Sequence, residues 1–139
     1  GVEPTFVPAR NILFLTIASN RAYCLGVTDI YLGVCEEDFG GYWDCRNDFI
    51  QKMSIALSQG LYGNNSSINI HTPLMYKSKK DTVLLAKAVF GKNFYEVFSM
   101  THTCYDGVKY GCGQCHACIL RDRGFQEAGI ADPHWRNRK

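Results

Sequence analysis

Residues 27–49 read VTDIYLGVCEEDFGGYWDCRNDF, and the change of character along them sets the fold class. Val27 to Val34 is short, apolar, β-branched and aromatic, which fits a buried strand of a parallel sheet. A loop rich in acids, aromatics and glycine follows. Then FIQKMSIALSQG places Phe49, Met53, Ala56 and Leu57 on one helical face ahead of Gly60. Strand, loop, helix is the repeating unit of an α/β domain, and the flanking sequence continues it.

Upstream, Leu13, Ile17 and Ala18 give Asn11 to Cys24 a helical period, with Gly26 placed for a left-handed C-terminal cap. Downstream, Gly63 to Ser67 reads as a turn and Ile68 to Leu74 as a second strand closed by Pro73. Ser78 and Asp81 form a capping signature for a helix over 79–90, ending at Gly91. A short helical stretch over 93–98 leads to the cysteines. Two parallel strands are too few for a sheet with both faces covered, so the pattern predicts further strands on the N-terminal side of Gly1.

The 139 residues are 46% hydrophobic and 20% charged, a composition that supports a core. With 15 basic and 13 acidic side chains the net charge is +2, which gives no field for nucleic acid or an anionic membrane. The run from Ile12 to Ala18 is broken by Thr16 and is far shorter than the roughly 20 residues of a membrane span. GVEPTFVPARN does not have the form of a signal peptide, so a cytoplasmic protein is expected. The missing initiator methionine suggests a piece of a longer protein or a processed product.

Seven cysteines is an odd count, and four of them crowd into CYDGVKYGCGQCHAC at 104–118. Cys104, Cys112, Cys115 and Cys118 are spaced C-x7-C-x2-C-x2-C, and a two-residue gap lets a tight turn aim two thiolates at one cation. Gly111 and Gly113 ease such a turn. A structural zinc ion, one per chain, is the favoured occupant. An iron–sulfur cluster and disulfides compete with it, because CxxCxxC also opens bacterial ferredoxin sequences. His102 and His116 are spare donors. Cys24, Cys35 and Cys45 read as small apolar residues, with Cys35 of some interest at a strand end.

In open parallel sheets ligands bind beyond the carboxyl ends of the strands, where the loop from Cys35 to Cys45 lies. It offers Glu36, Glu37, Asp38 and Asp44 as acceptors, Phe39, Tyr42 and Trp43 as stacking faces, and Gly40 and Gly41 for close approach. Arg46 follows as an anion clamp. Such a set suits a flat, purine-like base with an anionic substituent. A solvated acidic loop over tucked aromatics has the same composition. Arg10 and Asn11 stand at a helix start, where they either meet a ligand or cap the chain. Lys77, Lys79 and Lys80 stand at another, against the helix dipole, as a visited anion site or as plain surface.

Four stretches in order, PTFVPARN at 4–11, LGVCEEDFGGYWDCRNDFI at 32–50, TPLMYKSKKDT at 72–82 and THTCYDGVKYGCGQCHACILR at 101–121, are similar to the C-terminal part of the 7-cyano-7-deazaguanine synthase (QueC) family. The resemblance implies an adenine nucleotide alpha hydrolase-like, Rossmann-like parallel sheet over 1–100. A four-cysteine zinc region with a C-terminal helix then occupies 101–139. It implies an ATP-dependent ligase that turns 7-carboxy-7-deazaguanine and ammonia into the nitrile through an adenylated intermediate, with magnesium accompanying ATP, and usually a homodimer.

By position the resemblance carries the zinc ligands to Cys104, Cys112, Cys115 and Cys118. It carries substrate binding to Asp38, Tyr42, Asp44 and Arg46, and nucleotide binding to Arg10, Asn11 and Lys79. No catalytic side chain is implied. The family's SGGxDS pyrophosphate loop is not in the sequence, so this chain by itself is expected to be inactive. Ala9, Cys35 and Trp43 stand where the family usually has glycine, asparagine and proline. A related adenylating enzyme of the tRNA-thiolating type and a non-catalytic zinc-stabilised binding module are the competing functions.

Overall fold

The computed structural model describes residues 6–38 and 42–134, the side chain of Asp38 excepted. Phe39, Gly40 and Gly41 of the proposed loop therefore lie outside the described residues. Two compact units divide the chain, one through Tyr76 and one from Lys77.

The first unit begins with helix α1, Arg10–Leu25, followed by strand β1, Asp29–Tyr31. Short 3-10 turns over Glu36–Asp38 and Trp43–Cys45 lead to helix α2, Asn47–Tyr62, and strand β2, Asn69–His71. Helix α1 ends as its sequence dictates. Gly26 takes φ 67°, and the Val27 N–H returns to the Ala22 carbonyl at 3.0 Å. At its other end Ala9 is left-handed at φ 61°, the one non-glycine residue with positive φ among those described. That conformation brings Cβ close to a carbonyl oxygen and costs an L-residue roughly 1–2 kcal/mol.

Strands β1 and β2 pair in parallel with Ile30 opposite Ile70. The expected strands over 27–34 and 68–74 shrink to three residues each, and the sheet is not buried on both faces. Ile30 and Ile70 turn inward onto a core of Leu15, Val34, Tyr42, Cys45, Ile50 and Met75. The period of two sends Asp29, Tyr31 and His71 to the other side. There the Tyr31 and His71 rings stack 4.6 Å apart, and His71 Nε2 lies 2.6 Å from Asp29 Oδ1. Helix α2 is fastened to the second strand through Ser58 Oγ, which accepts the Ile68 N–H at 2.8 Å. Phe49, Met53 and Leu57 face the core as expected, but Ala56 is exposed and Ile50 is the fully buried residue. Gly63 rather than Gly60 closes the helix.

Helix α1 is apolar on two sides. Leu15 and Ala22 are buried, whereas Leu13, Phe14 and Ile17 are 57%, 56% and 66% exposed on another face. Of the three cysteines outside the cluster, Cys24 is exposed, while Cys35 and Cys45 are buried. No described helix is long and apolar enough to cross a membrane.

The second unit consists of α3, Lys79–Phe90, α4, Phe94–Ser99, and α5, His116–Glu127. The Ser78 capping box forms as the sequence specifies, with Ser78 Oγ accepting the Asp81 N–H at 3.0 Å and Asp81 Oδ2 accepting the Ser78 N–H at 3.3 Å. Helix α5 lies so close to the start of α3 that a Cβ on Gly124 would come within 2.6 Å of Lys79 Cβ. Phe94, Phe125 and Val83 form the core, with Phe98 stacked 4.6 Å from Phe94. These contacts group α3 and α4 with the cysteine region in one compact unit.

A buried ion pair fixes the end of this unit. The Arg121 guanidinium donates to both Asp132 carboxylate oxygens, to Thr101 Oγ1 at 2.9 Å and to the Phe98 carbonyl at 3.3 Å. Asp132 also accepts the His134 N–H at 2.9 Å. Removing one partner strands a buried charge, which typically costs about 3–5 kcal/mol. Asp132→Ala is thus expected to lower unfolding free energy by about that amount in a denaturant titration, and the paired Arg121→Met, Asp132→Leu change by much less. In the first unit, Ala9→Gly should raise stability by about 0.5–1 kcal/mol, the left-handed strain less the extra chain entropy of glycine. Its measure is the shift in denaturation midpoint.

Candidate functional site

Two places concentrate chemistry, one in each unit. In the second unit the chain leaves α4, turns at Gly107, Gly111 and Gly113, all with positive φ between 67° and 79°, and enters α5. These left-handed turns need glycine, and they fold the segment back on itself. Cys115 caps α5 and Cys118 lies in its first turn. The sulfurs of Cys104, Cys112, Cys115 and Cys118 then lie within 4.8 Å of one another.

Backbone amides orient these sulfurs. The Cys112 N–H donates to Cys104 Sγ at 3.3 Å, and the Gln114 and Cys115 N–H groups donate to Cys112 Sγ at 3.4 and 3.2 Å. Burial pushes the Cys104 thiol up, but the N–H groups of Cys112, Val108 and Asp106 outweigh it and hold the pKa at about 6. Cys118 goes the other way. Burial, with the neighbouring thiols, pushes it up to about 12. Cys115 is lowered: burial opposes the shift, but the N–H groups of Tyr105 and Cys118 outweigh it, whereas Cys112 is raised beside the Asp106 carboxyl. Crowded sulfurs resist carrying four negative charges together, and a bound cation removes that conflict.

The donor set fits a metal. Four thiolates about 2.3 Å from a tetrahedral centre lie about 3.8 Å apart, and Cys112 and Cys118 are 4.0 Å apart. A disulfide needs about 2.05 Å, and all four cysteines are free thiols. His102 is not part of the group, since its Nε2 meets the Val108 carbonyl at 3.0 Å. The cluster can hold a metal such as zinc.

In the first unit, a cleft of about 470 Å³ opens where the starts of α1 and α2 meet the turn Trp43–Cys45. Asp44 and Arg46 line it, joined by Phe6, Ala9, Ile12, Trp43, Asp48, Phe49 and Lys52. Asp44 Oδ2 accepts the Asn11 N–H at 3.2 Å, and Asn11 Nδ2 donates to the Asp44 carbonyl at 3.2 Å and to Cys45 Sγ at 3.5 Å. The amide of a helix start, which has no intrahelical partner, is thereby satisfied by a carboxylate 33 residues later in the chain. Arg46 Cζ stands 4.3 Å over the Trp43 ring. Lys52 Nζ pairs with Asp48 Oδ2 at 2.7 Å on the helix rim.

The other sequence candidates distribute as follows. Tyr42 is buried in the core, its ring stacked 5.5 Å from Phe6. Asn11 is buried against the turn, and Arg10 is half-buried with its N–H on the Val7 carbonyl at 3.2 Å. Asp38 ends the first 3-10 turn, and its side chain is outside the described residues. Lys79 belongs to the second unit, beside Gly124. Sequence reasoning did not assign Ala9, Ile12, Phe49 or Lys52 to a site. Asp48, Phe49 and Lys52 could have been found together, because positions i, i+1 and i+4 of a helix start share one side.

The family model described as queuosine biosynthesis protein QueC matches residues 1–129. The 7-cyano-7-deazaguanine synthase of Gloeobacter violaceus is 63% identical over 139 residues, covering 100% of this chain and 59% of the relative. That of Chromobacterium violaceum is 44% identical over 129 residues, 93% of this chain and 53% of its own. That of Nitratidesulfovibrio vulgaris is 45% identical over 133 residues, 90% and 54% respectively. The chain spans little more than half the length of these relatives. With the family match running through the cleft and all four clustered cysteines, the chain belongs to the queuosine biosynthesis protein QueC family.

Proposed function

We propose that this chain forms the substrate cleft and metal-stabilised tail of an ATP-dependent carbon–nitrogen ligase, acting on 7-carboxy-7-deazaguanine in queuosine precursor synthesis in the cytoplasm. The observation that carries the reading is the cleft itself. It joins a carboxylate, a guanidinium and aromatic walls on a loop shared with relatives named 7-cyano-7-deazaguanine synthase. The Arg46 fork matches the substrate carboxylate, and Asp44 matches the amino and ring N–H groups of the base. Tyr42 acts indirectly, through its stack on Phe6, which lines the cleft.

In the reaction, a substrate carboxylate oxygen attacks the α-phosphorus of ATP and pyrophosphate leaves. Ammonia then displaces AMP to give the amide. The amide oxygen attacks the α-phosphorus of a second ATP, pyrophosphate leaves again, and loss of AMP, which carries off the amide oxygen, with two protons leaves the nitrile. These steps need positioning and charge stabilisation rather than a side-chain nucleophile. Arg10 and Asn11 serve the nucleotide side within the first unit, with magnesium accompanying ATP, while Asn11 also holds Asp44 in the substrate cleft. Lys79, in the second unit, is a separate candidate for a nucleotide contact.

The pyrophosphate loop and the remaining strands of a nucleotide alpha hydrolase-like domain complete the enzyme. The open sheet face and the apolar side of α1 with Leu13, Phe14 and Ile17 suit that role. A homodimer is the working assembly. Cys35, 2% exposed, is poorly placed to carry a persulfide, which weighs against a tRNA-thiolating relative. The four-cysteine cluster takes one structural zinc. Its sulfur spacing suits a single ion, whereas a polynuclear iron–sulfur core would hold its cysteines farther apart.

Elemental analysis of the purified chain should give one zinc per chain, with chelation unfolding the second unit and Cys112→Ser losing the metal. Iron with acid-labile sulfide would refute the assignment. For the cleft, calorimetry with 7-carboxy-7-deazaguanine should show Asp44→Ala weakening binding at least about tenfold, the loss of a charge-assisted hydrogen bond, with zinc content unchanged. Asp44→Asn keeps an acceptor for the α1 amide and should preserve thermal stability while still binding weakly. Unaltered affinity in both variants removes Asp44 from the site.

A further inference from the structure

Trp43 and Arg46 belong to one short turn on the wall of the cleft. The turn over Trp43–Cys45 is a 3-10 turn, closed by the Arg46 N–H on the Trp43 carbonyl at 3.4 Å. With three residues per turn, side chains at i and i+3 come into line. Trp43 and Arg46 are i and i+3, and the guanidinium carbon accordingly lies 4.3 Å from the indole centroid. Asp44, one step round the turn, is carried instead to the start of α1. Both Trp43 and Arg46 line the cleft, and Trp43 is 66% exposed, so the indole stands at its mouth rather than in the core.

A guanidinium on an aromatic face is held by its own face, while its hydrogen-bonding fork lies in its plane and meets a carboxylate edge-on. Resting on the reading of the cleft as a substrate site, we propose that Trp43 is a positioning residue that fixes the Arg46 guanidinium at the cleft mouth and thereby selects a flat heteroaromatic ligand bearing a carboxylate over the same ring without one.

The test compares two probes by calorimetry, 7-carboxy-7-deazaguanine and 7-deazaguanine, on the wild-type chain and on Trp43→Leu, Trp43→Phe, Arg46→Met and Trp43→Leu/Arg46→Met. Trp43→Leu should weaken the carboxylate probe about three- to tenfold, the worth of a cation–π contact, and leave the other within about twofold. Trp43→Phe should restore most of the loss, and adding Arg46→Met to Trp43→Leu should change less than Arg46→Met alone. Equal weakening of both probes would show that the indole only stacks on the base and would overturn the inference, as would no change with either. Failure of the wild-type chain to bind either probe would overturn the site reading and the inference together, whereas wild-type binding indifferent to Trp43 removes the inference alone.

Discussion

Asp44 makes the contact on which the first unit depends. A helix start leaves several N–H groups without intrahelical partners, and α1 has neither an acidic residue in its first turn nor a local side-chain cap. The Asp44 carboxylate supplies one, and Asn11 answers with its own amide on the Asp44 carbonyl. This exchange ties the first helix to the turn before the second, and the cleft is the space the tie encloses. The same carboxylate lines the cleft, so in the proposed reading one side chain both holds the fold together and meets the ligand.

The second unit solves a different problem. Among the described residues its main apolar cluster is small, centred on Val83, Phe94 and Phe125, and much of its length is turn. Four converging sulfurs at the start of α5 and the Arg121–Asp132 pair on its flank tether that helix to the segment before it and the segment after it. Gly124 lets α5 lie directly against α3. Cross-links of this sort replace apolar area that a unit of this size lacks.

Local chemistry made much of this legible in advance. Gly26, Ser78 with Asp81, and the C-x2-C-x2-C spacing each act over a few residues, so the caps and the cysteine cluster could be read directly from neighbours in the chain. What depended on distant partners could not. Whether 27–34 forms a long buried strand is decided by neighbouring strands, and with one partner only three residues pair. Tyr42 and Trp43 look interchangeable in the sequence, yet one is a core ring and the other stands in solvent, because the 3-10 turn begins between them. The role of Asn11 was hidden for the same reason, since its partners come 33 and 34 positions later.

Helix α1 carries oily side chains toward both the core and the water, and water is a poor neighbour for the second set. Leu13, Phe14 and Ile17 form one adhesive strip, being three and four positions apart on the same side. In a purified solution of this chain such a strip is expected to draw molecules together as concentration rises, the more so in salts that tighten water structure.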